Sequence, residues 1–196
     1  MSTTTIMPTI TPTAESPRMA GIVLAGGLSS RMGRDKALLP WQGQTLLAHM
    51  HGLLKRAGAE IVRVSGSYPE FDGVADAVAR CGPLGGLFSV ANTLPDGPAW
   101  VVPVDMPQLD VALLQQLRDA PPAACVIFAG QPLPMRLNID DACRRLLQSM
   151  IGDPDGPRSL QALQRRLGVL ELAVPAAAAA SLVNCNTPEQ WEELAS

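Results

Sequence analysis

Long apolar runs are missing from this chain of 196 residues. None reaches the ~18 residues that a membrane-spanning helix needs, so no transmembrane helix is expected. Aromatic residues are scarce at 4%, so a core has to be built from Leu, Val, Ile, Ala and Met. A basic block is also absent, and the net charge is −3. A nucleic-acid partner normally leaves a positive footprint, so none is expected. The four cysteines, Cys81, Cys125, Cys143 and Cys185, form no C-x-x-C pair and show no zinc-ribbon spacing. They read as buried thiols of a reducing compartment. The N-terminal stretch MSTTTIMPTITPTAESPR is rich in Thr and Pro and lacks the apolar h-region of a secretory signal. It is expected to be a disordered tail over residues 1–18, with a cytoplasmic location as the default. No internal repeat of 20–50 residues is visible.

What the chain does contain is an alternation of short apolar strands and amphipathic helices over residues 19–196, which is expected to be a single domain. The run 19–25, MAGIVLA, reads as a buried strand that stops at Gly26-Gly27. Residues 28–43 read as a loop. Apolar positions recur at helical spacing from 45 to 57, with Thr45 as cap and Gly58 as stop. Further strands are expected at 60–65, near 73–77, at 99–104 and at 124–129, and further helices at 84–93, 111–118, 140–150 and 159–167. The C-terminal third adds a strand near 169–174, a helical turn in the alanine run 176–180 and a last short strand at 182–185. A terminal helix follows, with Thr187 as cap and Pro188 at its first position. The alternation predicts an α/β fold: a mostly parallel sheet with helices on both faces.

In an open α/β sheet, ligands bind beyond the carboxyl ends of the strands. Polar clusters fall at such ends. Leu24 to Lys36 reads LAGGLSSRMGRDK. Its glycines let backbone N–H groups turn toward an anion, and Arg31, Arg34 and Lys36 supply charge. It is neither a P-loop nor a G-x-G-x-x-G fingerprint. Asp105 follows the strand VVPV and suits either a turn or a Mg²⁺ ion that takes one carboxylate plus phosphate oxygens. Asn184 and Asn186 offer amide donors and acceptors that suit a polar substrate, although Asn186 equally suits a plain turn before Thr187. Gly82-Pro83-Leu84-Gly85-Gly86 opens a helix, whose N-terminus favours anions. His49 and His51 are two apart on a helix, share no face and receive no catalytic role.

These segments together resemble the molybdenum cofactor guanylyltransferases, the MobA-like proteins. The resemblance lies in Leu24-Ala25-Gly26-Gly27, Arg31-Met32-Gly33 and Asp35-Lys36. It continues in order through Cys81 to Gly86, Val104-Asp105-Met106-Pro107, Gln131-Pro132-Leu133 and Asn184 to Glu189. It covers residues 19–196. It implies a Rossmann-like nucleotidyltransferase fold and transfer of GMP from GTP to molybdopterin or Mo-molybdopterin, with release of pyrophosphate. It also implies backbone contacts to the nucleotide from Leu24, Ala25, Gly26 and Gly27. Lys36 would meet the phosphates, Asp76 the nucleoside, and Asp105 a Mg²⁺ ion. Gly82, Gly86, Asn184 and Asn186 would lie on the pterin side, and cofactor-insertion proteins would be downstream partners. Gly26-Gly27 favours guanine, since the CTP-using relatives read Ala-Ala-Gly there. Two positions depart from the family pattern. Ser65 stands where Asn is usual, and its short hydroxyl would need a bridging water to reach the base. Arg136 places a cation in a strand, where it either meets a substrate phosphate or points to solvent.

On this reading the chemistry is an in-line attack by an anionic phosphate oxygen, with no general base and no covalent enzyme intermediate. Lys36, Arg31 and Asp105 would carry it by positioning and charge neutralisation. A CTP-using relative, a sugar-phosphate nucleotidyltransferase and a catalytically silent nucleotide-binding module are the competing expectations.

Overall fold

The computed structural model describes residues 18–25, 35–78, 81–185 and 190. The expected tail over 1–18, apart from Arg18, the glycine-rich segment 26–34 and the cap of the expected terminal helix at 187 therefore lie outside the described residues. Seven strands form one sheet: β1 (Met19–Leu24), β4 (Ala59–Ser65), β5 (Gly73–Val74), β6 (Gly97–Pro103), β7 (Cys125–Phe128), β8 (Gln131–Ile139) and β9 (Val169–Leu172). Their spatial order is β5-β4-β1-β6-β8-β7-β9. All neighbours are parallel except at β8, which runs antiparallel to both β6 and β7. The expectation of a mostly parallel sheet holds, with one reversed strand inserted. A separate hairpin, β2 (Pro40–Trp41) with β3 (Gln44–Thr45), and a short 3-10 turn, Lys36–Leu38, occupy the stretch expected to be plain loop.

Among the described residues, five helices cover the sheet: α1 (Leu46–Ala57), α2 (Gly82–Ala91), α3 (Val111–Asp119), α4 (Asp141–Gly152) and α5 (Leu160–Leu167). Four begin on a side chain that accepts from the first turn: Thr45, Asp110, Asp140 and Ser159. Each satisfies an amide that has no partner within the helix. The buried positions of α1, Leu46, Leu47, Met50, Leu53, Leu54 and Ala57, keep helical spacing and form one apolar stripe. Gly58, in the left-handed region at φ 102°, ends it as expected.

The strands are apolar on both faces because both faces are covered. Val23, Trp100 and Val102 point into a core shared with α1 and α3. Ile22, Leu24, Ala99 and Val101 point the other way, into a core with α2, α4 and α5. All four cysteines are buried, as expected. The alanine run forms a 3-10 turn, Ala176–Leu182. The expected last strand at 182–185 is not formed. After Leu182 the backbone leaves the turn as an irregular segment whose hydrogen bonds go to a loop rather than to a sheet edge.

Among the described residues, no helix is long and apolar enough to cross a membrane.

Candidate active site

Parallel β1, β4, β5 and β6 end on one rim. In register, Leu24 lies level with Ser65 on one side and Pro103 on the other. The residues just past these positions therefore come together, although they are far apart in the chain. Ala25 donates its N–H to Ser65 Oγ at 3.1 Å, and Val104 donates its N–H to the Leu24 carbonyl at 3.1 Å. The exit of β1 is thus fixed from both sides before the glycine-rich segment begins. Ser65 is 1% exposed. Its hydroxyl oxygen accepts from the Ala25 backbone, a contact with no signal in the local sequence.

The centre of the rim is a junction of three segments. Lys36 Nζ donates to Asp105 Oδ2 at 3.3 Å and to the Cys185 carbonyl at 3.2 Å. The Cys185 N–H returns to the Asp105 carbonyl at 2.8 Å. Lys36 comes from the first loop, Asp105 from the end of β6 and Cys185 from the C-terminal segment. Their convergence unites three of the clusters picked out by sequence. The two charged side chains are 19% and 20% exposed, so the pair is partly shielded yet open to a ligand. In such surroundings a charge is worth more than at the surface.

Asp76, Gly86 and Ser65 form the flank on the β4 side. A Cβ on Gly86 would stand 2.8 Å from both Ser65 Cβ and Oγ, and 3.6 Å from Asp76 Oδ1. Glycine is needed there for helix α2 to approach β4. Gly86 therefore lies with the residues expected on the nucleotide side. Ser89 on α2 accepts from the Ala77 N–H at 2.9 Å and donates to the Gly85 carbonyl, which ties the segment carrying Asp76 to the helix. Partial burial raises the Asp76 carboxyl above its ordinary range. Gly82, at φ 55°, opens α2 with free space where a side chain would be. Asn184 is exposed beside Cys185. Gly26, Gly27, Arg31 and Asn186 lie outside the described residues.

Arg136 does neither of the things expected of it. It is 7% exposed and donates to the carbonyls of Arg118, Ala120 and Pro121 at 2.6–2.8 Å. It sits opposite Trp100 in the β6–β8 register and points to the face covered by α3, whose C-terminal carbonyls it caps. Two connections went unnoticed in the sequence. His49 donates from Nε2 to the Pro107 carbonyl at 3.0 Å and so braces the turn after Asp105. Tyr68 donates to Asp35 Oδ2 at 2.8 Å. Neither pairing has a local sequence signal, because both join segments more than 30 residues apart.

Among the described residues, no three His, Cys, Asp or Glu side chains gather into a metal cage. A single carboxylate suits a small divalent cation that draws the rest of its shell from phosphate and water. Asp105 fits such an ion and does not fit a structural metal held by protein alone.

The MobA-like NTP transferase domain family matches residues 21–193. A molybdenum cofactor guanylyltransferase of Xanthomonas euvesicatoria pv. vesicatoria is 51% identical over 175 residues, covering 89% of this chain and 93% of that protein. A probable molybdenum cofactor guanylyltransferase of Opitutus terrae is 33% identical, covering 90% and 94%. Solved structures share the fold at lower identity. The molybdopterin-guanine dinucleotide biosynthesis protein A of Archaeoglobus fulgidus superposes with a TM-score of 0.70 at 18% identity, covering 90% of this chain and 96% of that one. A Mycobacterium tuberculosis protein in complex with manganese superposes at 0.62 and 20% identity, covering 91% and 98%. The match over most of the chain and the 51% identity establish that this protein belongs to the MobA-like NTP transferase family.

Proposed function

We propose that the protein is a molybdenum cofactor guanylyltransferase, transferring GMP from GTP to molybdopterin or Mo-molybdopterin. The carrying observation is the Lys36–Asp105–Cys185 junction on the strand-end rim, beside the exit of β1. The 51% identical relative bears the same activity in its name. A terminal phosphate oxygen of the acceptor attacks the α-phosphorus of GTP. The bond from that phosphorus to the bridging oxygen breaks, and pyrophosphate leaves with the electron pair. The attacking oxygen is already anionic at neutral pH, so no general base is needed.

What remains for the chain is placement and charge compensation. Leu24, Ala25, Gly26 and Gly27 would present backbone groups to the nucleotide, supported by the Ser65 contact to Ala25. Asp76 would accept from the N–H groups of guanine. Lys36 and Arg31 would offset charge on the phosphates. Asp105 would hold a divalent cation, Mg²⁺ in this reading, which supplies charge neutralisation at the phosphate oxygens. Gly82, Asn184 and Asn186 would face the pterin-bearing substrate, while Gly86, packed against Ser65 and beside Asp76, would serve the nucleotide side. The protein would act in the cytoplasm and pass its product to cofactor-insertion proteins.

The test is pyrophosphate release from GTP, Mg²⁺ and molybdopterin, with CTP in place of GTP as a parallel arm. Release with GTP and little with CTP is expected. Equal or greater release with CTP would reassign the nucleotide, and GTP binding without release would reassign the protein as a silent binding module. Asp105→Ala should abolish turnover while the melting curve stays cooperative. Turnover within a few-fold of wild type would remove Asp105 from the site.

A further inference from the structure

Tyr68 is the sole tyrosine of the chain. It sits in the turn that follows β4, and that turn is built around it. Gly66, at φ 115°, lies so close that a Cβ there would meet the Tyr68 ring at 2.7 Å. A Cβ on Gly73 would meet the Tyr68 backbone nitrogen at 2.5 Å. The Tyr68 N–H donates to the Gly66 carbonyl, and the Tyr68 carbonyl accepts from Phe71 and Gly73. The ring rests against the apolar core on the α1 side. Two glycines and three backbone hydrogen bonds thus aim one phenol.

Its target is Asp35. Tyr68 Oη donates to Asp35 Oδ2 at 2.8 Å. The other oxygen, Oδ1, accepts from the Ala37 N–H at 3.0 Å, capping the 3-10 turn that starts with Lys36. One carboxylate therefore bridges the phenol and the turn that carries the cation of the rim. The chain of contacts runs from the end of β4, where Ser65 stands, through Tyr68 and Asp35 to Lys36.

We propose that Tyr68 is a positioning residue for the reaction: through Asp35 it sets the Lys36 turn, and so the Lys36 ammonium, against Asp105. The inference rests on the functional reading given above. It predicts that the phenol oxygen matters to turnover although it reaches neither Lys36 nor Asp105 directly. Burial, and second the Asp35 carboxylate, push the phenol well above its ordinary range, so it remains a donor across the working pH.

Tyr68→Phe tests this, because it keeps the ring and removes the donor. The chain has two lysines, Lys36 and Lys55, so a protein labelled with 13C at lysine Cε gives two lysine signals. In the nucleotide-free protein Tyr68→Phe should move the Lys36 signal and leave that of Lys55. With GTP, Mg²⁺ and molybdopterin, kcat should fall about tenfold, the size of losing one hydrogen bond to a charged acceptor. KM for GTP should move less. Asp35→Asn should reproduce the fall, and the double variant should be no worse than the poorer single one. An unmoved Lys36 signal, or fully additive losses, would overturn the proposal. If the wild-type protein releases no pyrophosphate, the functional reading fails instead, and the Lys36 signal alone decides the role of Tyr68.

Discussion

Arg136 shows how far a residue type can mislead. A guanidinium in an anion-handling protein invites a phosphate, and its neighbours Met135 and Leu137 give no hint of an alternative. The structure instead spends it on three carbonyls where α3 ends before Pro121-Pro122. The planar fork of arginine suits several acceptors at once, which a lysine cannot match. Arg136→Met should therefore lower stability by about 2 kcal/mol through the lost hydrogen bonds, while turnover per folded molecule stays unchanged. Arg136→Lys should fall between. Denaturant melts and kcat on the same preparations check this; a kcat loss at unchanged stability would restore the phosphate role. Lys36 and Asp105 were legible for a different reason. They stand at a predicted loop end and strand end, on the rim where ligands of an open α/β sheet bind. The partner each finds across the rim, including a backbone carbonyl of Cys185, was not legible, because it depends on tertiary placement.

At the scale of elements, the sequence announces what local physics controls. Thr45 and Gly58 bracket α1 as expected, because a cap oxygen and a left-handed stop are local needs. The strand expected at 182–185 fails on the same grounds. Apolar residues predict burial, and Leu182 and Cys185 are buried, but nothing in the segment says whether its amides go to a sheet or to the Asp105 loop. Reversed β8 was equally hidden, since direction is set by the tight turn around Gly130 and not by the apolar pattern of the strand itself. The contact of α2 with β4 offers a sharp test of element packing. Gly86→Ala would push a methyl into Ser65, a short side chain with nowhere to retreat. Overpacking of this kind costs about 1–3 kcal/mol. Because Ser65 holds Ala25, KM for GTP should rise about tenfold, the factor that 1.4 kcal/mol represents. Gly52→Ala on α1 is the control: its methyl would meet only the flexible end of Arg56. It should gain up to about 1 kcal/mol from helix propensity and leave KM alone. Equal KM values for the two variants would detach α2 from the nucleotide site.

For the whole molecule, acid sensitivity near neutrality has a narrow origin. The chain holds two histidines, and histidine is the side chain that ordinarily titrates between pH 5 and 8. Both lie on α1 and are half-buried. His49 sits edge-on to Trp41, and His51 lies 5.4 Å from the ring of Phe71. Burial is the main cause that lowers both below the ordinary 6.5, with Arg56 adding to it at His49 and Lys55 at His51. The Pro107 carbonyl opposes the shift at His49, and Asp72 opposes it at His51. A lowered value means that the unfolded chain takes up protons first as the pH falls. Stability from this source is complete above pH 6.5, declines as the pH drops through that value, and levels off below the lowered folded-state values. The melting temperature should therefore fall between about pH 7.5 and pH 5.5. In a His49→Gln, His51→Gln variant the curve should flatten over that interval, even though the variant starts lower for want of the ring contacts. A double variant whose melting temperature keeps the wild-type slope would place the acid sensitivity in the carboxylates instead.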